Sequence, residues 1–89
     1  MTEIFAHALI MERLIDEEAL LADGFEDALI GHTQGFNVVA VYDYDGCIDI
    51  LVKRDQMTIE DAVEYMSFNV VGAYVGEKTP MFISLTGWL

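Results

Sequence analysis

Two histidines, one cysteine and a surplus of carboxylates are the side chains of this 89-residue sequence that could carry chemistry. His32, in the run His32-Thr33-Gln34 at an expected strand end, could combine with Cys47 and an aspartate to activate a thiolate. Cys47, however, falls on an apolar helical face, where burial raises a thiol pKa and hides the sulfur from substrate. His7 and His32 lie at no three- or four-residue spacing from each other or from Cys47 that would prebuild a metal site, and His7 reads as a partly buried helix histidine. The string Asp43-Tyr44-Asp45-Gly46-Cys47-Ile48-Asp49 resembles an acidic calcium loop, but it lacks the run of oxygen ligands and the closing glutamate. A turn followed by a helix cap accounts for it. With no glycine-rich phosphate loop and no nucleophile elbow, the expectation is a protein that is not an enzyme and uses no cofactor or metal.

The carboxylates point elsewhere. Sixteen Asp and Glu against four Lys and Arg give a formal net charge of −12. Such a charge repels phosphate backbones, so direct nucleic-acid binding is not expected, and it attracts basic protein surfaces and speeds encounter with them. The acids concentrate in two stretches. The first holds Asp16, Glu17 and Glu18 with Asp23, Glu26 and Asp27; the second holds Glu60, Asp61 and Glu64. Carboxylates spaced along helices can imitate a phosphate track, and they also make ordinary solvated faces. The partner-binding residues expected on the first of these readings are Asp16, Glu17, Asp23, Glu26, Glu60, Asp61 and Glu64.

Positioning these groups is the task of the apolar pattern. Ile4, Phe5, Ala8, Met11, Ile15, Leu20 and Leu21 recur mainly at three- and four-residue steps, which predicts an amphipathic helix from Thr2 to Asp23 ended by Gly24. Asp27 to Thr33 and the β-branched run Asn37 to Tyr42 predict two strands with a tight connection at Gln34-Gly35. The second lacks clean alternation and reads as a buried central strand. An aspartate, Asp43 or Asp45, is expected to cap a short helix through Cys47, Ile48, Leu51 and Val52 toward Lys53 and Arg54. Thr58 followed by Asp61 resembles a capping box. The helix it opens carries Ile59, Ala62, Val63, Met66, Val70 and Ala73 on one face and turns the Asn69 amide toward the core. Phe68, Val71 and Val75 lie off that face and leave apolar surface to be explained. Gly76 and Pro80 then stop the helix, and Met81 to Leu85 reads as a last strand.

One domain follows from the length. Apolar residues make up 54% of the sequence, with five Phe, four Tyr and one Trp among them. That is enough for one core. The expected architecture is a two-layer α+β domain, a small sheet of about three strands packed against about three helices. No apolar run approaches the roughly 20 residues of a membrane helix, and no basic region precedes an apolar stretch near Met1. A single cysteine allows no intramolecular disulfide. A cytoplasmic protein without a membrane is therefore the expectation.

Met57-Thr58-Ile59-Glu60-Asp61-Ala62-Val63-Glu64-Tyr65, continued by Phe68-Asn69-Val70-Val71-Gly72-Ala73-Tyr74-Val75-Gly76-Glu77 and Thr79-Pro80, resembles a family of small, largely uncharacterised proteins encoded by tailed bacteriophages. The resemblance covers the chain from Gly24 onward and supplies no catalytic residues. It implies a setting in the cytoplasm of an infected bacterium; since small acidic phage proteins often block or redirect a host protein, the setting and the charge together make the expectation an accessory protein that inhibits or modulates a host nucleic-acid-binding or defence complex by charge mimicry. The alternative is a structural or assembly module that forms a homodimer, or docks on a larger assembly, through an apolar strip of Phe68, Val71, Val75 and Trp88.

Overall fold

The computed structural model describes residues 3–73 and 76–85, with side chains from residue 8 onward. The side chains of Ile4, Phe5 and His7, and the whole of Val75 and Trp88, lie outside the described residues. The first helix, α1, runs Glu3–Asp16 and buries Leu14 fully, with Ile10 and Met11 packed beside it. It ends well before the expected Asp23. Glu18 takes the left-handed conformation at φ 56°, its N–H donates to the Ile15 carbonyl at 3.1 Å, and the Ala19 N–H donates to the Leu14 carbonyl at 3.0 Å. That pair of bonds closes a helix end in the manner of a Schellman motif, with glutamate where glycine is usual. Gly24, at φ +91°, makes a turn inside the segment that follows.

This segment is fastened to the core by its backbone. The Leu20 N–H donates to the Lys78 carbonyl at 3.2 Å, and the Ala22 N–H to the Tyr42 hydroxyl at 2.9 Å. A single 3-10 turn, Glu26–Ala28, leads into β1, Leu29–His32. β1 pairs antiparallel with β2, Ala40–Asp43, with Leu29 opposite Tyr42 and His32 opposite Ala40. An irregularity between Leu29 and Gly31 bulges Ile30 outward. The last strand, β3, is shorter than expected, Met81–Ile83, and runs parallel to β2 with Tyr42 opposite Phe82. The order β1-β2-β3 makes β2 central, as its apolar run implies, and Val38 and Val39 enter it buried.

A parallel pair needs a long crossover. Two helices supply it here. α2, Tyr44–Arg54, buries Cys47 and Leu51, and Asp43 stands at its N-cap position without a side-chain capping bond. α3, Ile59–Tyr65, is capped as expected, the Asp61 N–H donating to the Thr58 hydroxyl at 3.1 Å. The chain then widens into a six-residue π-helix, Met66–Val71, in which the Gly72 N–H reaches back five residues to the Ser67 carbonyl at 3.2 Å. Such wide turns are rare inside helices.

The widening has a packing reason. Ala62, Met66 and Val70 are the buried residues of this stretch, each four positions after the last. In an α-helix a four-residue step overshoots the turn by about 40°, so two steps would swing Val70 well off the core; the underwound π turn brings it back. The same rotation carries Asn69 outward, where it is exposed, so its amide does not face the core as the regular period suggests. Ile59, Val63 and Ala73 are exposed too, which narrows the buried face to three side chains. The helix stops at Val71–Gly72 and not at Gly76.

Sheet and helices enclose one core of Leu14, Val38, Tyr42, Cys47, Leu51 and Met66, with the Tyr42 ring stacked on Phe82 at 5.4 Å. The fold is two-layer α+β.

Candidate functional site

Met57, at the end of the α2–α3 connection, and Asp61, Glu64, Tyr65, Phe68 and Asn69 line an open groove of about 350 Å³. The Thr58 cap fixes the direction in which α3 leaves the connection, and this sets Asp61 one turn before Glu64 and Tyr65 on the same side. The π turn then swings Phe68 and Asn69 to the groove's far end. Phe68 is 76% exposed and Tyr65 38%, so an aromatic wall stands in water beside two carboxylates.

The seven expected partner-binding acids fall in four places. Asp61 and Glu64 come together in the groove. Glu60 is exposed in the first turn of α3 beside Asp61, where the helix dipole favours both carboxylates, but it does not line the groove. Asp16 and Glu17 sit at the end of α1, with Glu17 paired to Arg13 at 3.4 Å. Asp23 and Glu26 belong to the fastened segment. Among the described residues, Asp16, Asp23, Glu60, Asp61 and Glu64 have no cationic partner.

Arg54, at the end of α2, stands between the two acidic stretches. Its guanidinium lies 5.6 Å from the centre of the Phe25 ring, forks onto Asp55 with two bonds of 3.0 Å, and donates to the Gly24 carbonyl at 2.6 Å. Both Glu26 and Tyr65 act on its charge. The Glu26 carboxyl is held below its ordinary range, first by the backbone N–H groups of Glu26 and Gly24, against an opposing effect of burial that is larger than the further lowering by Arg54. The Arg54 fork holds Asp55 down in the same way.

The other candidates do not converge. Cys47 is fully buried, and its thiol is pushed up to about 12, chiefly by that burial and secondly by the nearby Asp43 carboxylate. His32 ends β1 and places Nδ1 2.8 Å from the Thr33 carbonyl oxygen. The residues Tyr44 to Asp49 form the first turns of α2, so their side chains radiate from a helix and do not fold around a cation. No group of three or more His, Cys, Asp or Glu among the described residues could hold a metal ion. No described helix is long and apolar enough to cross a membrane.

Sequence reasoning misses Met57 and Tyr65 as groove residues and takes Asn69 for a core amide. The available signal is Phe68, an aromatic residue off the buried face of a capped helix. Neither a family model, nor a curated protein, nor a solved structure matches the chain.

Proposed function

We propose that this protein acts by binding another protein with a basic surface, and that it is a phage-encoded accessory factor which inhibits or modulates a host nucleic-acid-binding or defence complex from within the cytoplasm. The observation that carries the reading is the set of surface carboxylates without internal cations, two of them beside exposed aromatic rings in a groove. Internally paired acids would contribute little to a partner, since an exposed ion pair is worth about 0–1 kcal/mol and is already spent within the chain. Unpaired acids keep their field for an incoming cation, which steers encounter and selects against acidic competitors. A nucleic-acid-binding partner would meet in them negative charge in place of phosphates.

Affinity capture from bacterial lysate tests this, run in parallel with wild type and with a variant in which Asp16, Glu17, Asp23, Glu26, Glu60, Asp61 and Glu64 are all amidated. The expected result is a basic protein retained by wild type, released by salt and lost with the variant. Retention that is equal in both columns across a wide salt range contradicts charge-guided binding.

The assembly reading has its own observation. Phe68 and Val71 of the expected apolar strip are both exposed, as are Ile59 and Val63 on the same stretch of helix. Light scattering decides it: a dimer that Phe68→Ser disrupts supports self-association through this strip, and a monomer at high concentration removes it.

A further inference from the structure

The α3 groove has the composition of a receptor for one particular side chain. A bare carboxylate cluster would take any cation. Here Phe68, 76% exposed, and Tyr65, 38% exposed, form the aromatic wall of the groove. That wall adds a flat apolar face, which a small hydrated ammonium uses poorly and a planar guanidinium uses well. Asp61 and Glu64 offer two acceptors for a forked donor, and the Asn69 side-chain carbonyl offers another at the same end. We propose that the groove docks an arginine side chain of a basic segment on the partner, its guanidinium stacked on Phe68 and forked onto Asp61 or Glu64. This rests on the basic-partner reading above and names the residue that reading requires.

The chain already holds one arginine by the same means. Arg54 stacks over Phe25, forks onto Asp55 and adds a carbonyl acceptor from Gly24. Phe68, the carboxylates of Asp61 and Glu64, and Asn69 present the same three kinds of contact outward, with no arginine supplied from within. Arg54 itself is committed to its own partners.

Charge complementarity favours a basic partner over a second copy as the occupant. Of the four basic residues, Arg13 pairs with Glu17, Lys53 with Asp49 and Arg54 with Asp55, so another copy of a chain of net charge −12 brings repulsion and few available cations. The groove measures about 350 Å³. That is at the low end of the range usual for ligand sites, roughly 300–1000 Å³, and suits one long side chain better than a buried helix.

The test is a nuclear magnetic resonance titration of the full chain with a short arginine-rich peptide, its lysine counterpart, and its citrulline counterpart, which keeps the plane and loses the charge. The arginine peptide should bind about tenfold tighter than either. Shifts should centre on Asp61, Glu64, Tyr65, Phe68 and Asn69. Phe68→Ala should weaken it about tenfold while melting like wild type, because its ring is exposed; Glu12→Gln, an exposed acid on α1 outside the partner-binding set, should change it less than about twofold. Equal binding of arginine and lysine peptides, with shifts spread over all acidic positions, overturns the groove and leaves the basic-partner reading standing. Absence of binding by all three peptides at low ionic strength overturns both.

Discussion

Replacing Tyr42 by Phe tests how the first acidic stretch is held. The Tyr42 hydroxyl accepts the Ala22 N–H at 2.9 Å, and both residues are buried, at 1% and 2% exposure. Removing the oxygen leaves ring stacking on Phe82 intact. It also strands a buried backbone donor, which costs about 1–3 kcal/mol. For a domain of this size each kcal/mol lowers the melting temperature by about 4–8 °C, so a fall of roughly 4–24 °C is expected. The loss should also be local. Hydrogen exchange at Ala22 and its neighbours should accelerate more than at Leu51 or Met66, because the segment carrying Asp23 and Glu26 is released while the core keeps its packing. Binding at the α3 groove should survive. A melting temperature close to that of wild type, with Ala22 still protected, would refute the assigned role of this hydroxyl.

Gly72→Ala places a methyl 2.7 Å from the Ser67 carbonyl oxygen, so the π turn must shift. A loss of about 1–3 kcal/mol in chemical denaturation, with altered resonances at Phe68 and Asn69, is expected, and an unchanged protein would show that the wide turn needs no glycine. The Cys47 thiol, pushed up to about 12, should resist thiol reagents at pH 8 until the protein is unfolded, and rapid labelling of the native protein contradicts its burial. A thiol pKa raised in the folded state adds stability that is complete below its ordinary 9.0, so stability should fall as pH climbs from there toward about 12. Glu26 has the opposite sign. Its lowered pKa adds stability above the ordinary 4.5 that is lost as pH falls, so the advantage of wild type over Glu26→Gln should shrink between pH 7 and pH 3, and a pH-independent difference contradicts the N–H contacts.

The features legible from sequence are those decided within a few residues. Thr58 caps α3 because its hydroxyl has only to reach three residues along, and the central strand shows itself in a run of β-branched residues. Chain ends of helices are less legible. The apolar period continues past Asp16 to Leu20 and Leu21, but bonds from Leu20 to Lys78 and from Ala22 to Tyr42 hold the segment away from the helix axis, and nothing local to Glu18 announces a left-handed residue. A regular helical period places Asn69 in the core, and the π turn does not obey that period. The acidic residues of the groove are legible as charge, whereas its aromatic wall depends on that same turn and surfaces only as Phe68 lacking a place on the buried face.

The most direct measurement is the dissociation constant of the captured partner across a salt series, for wild type and for Asp61→Asn with Glu64→Gln. Affinity that falls steeply with salt in wild type, and starts weaker and falls less in the double variant, is what unpaired carboxylates facing a cationic surface predict. Superimposable curves for the two proteins would contradict recognition through these acids.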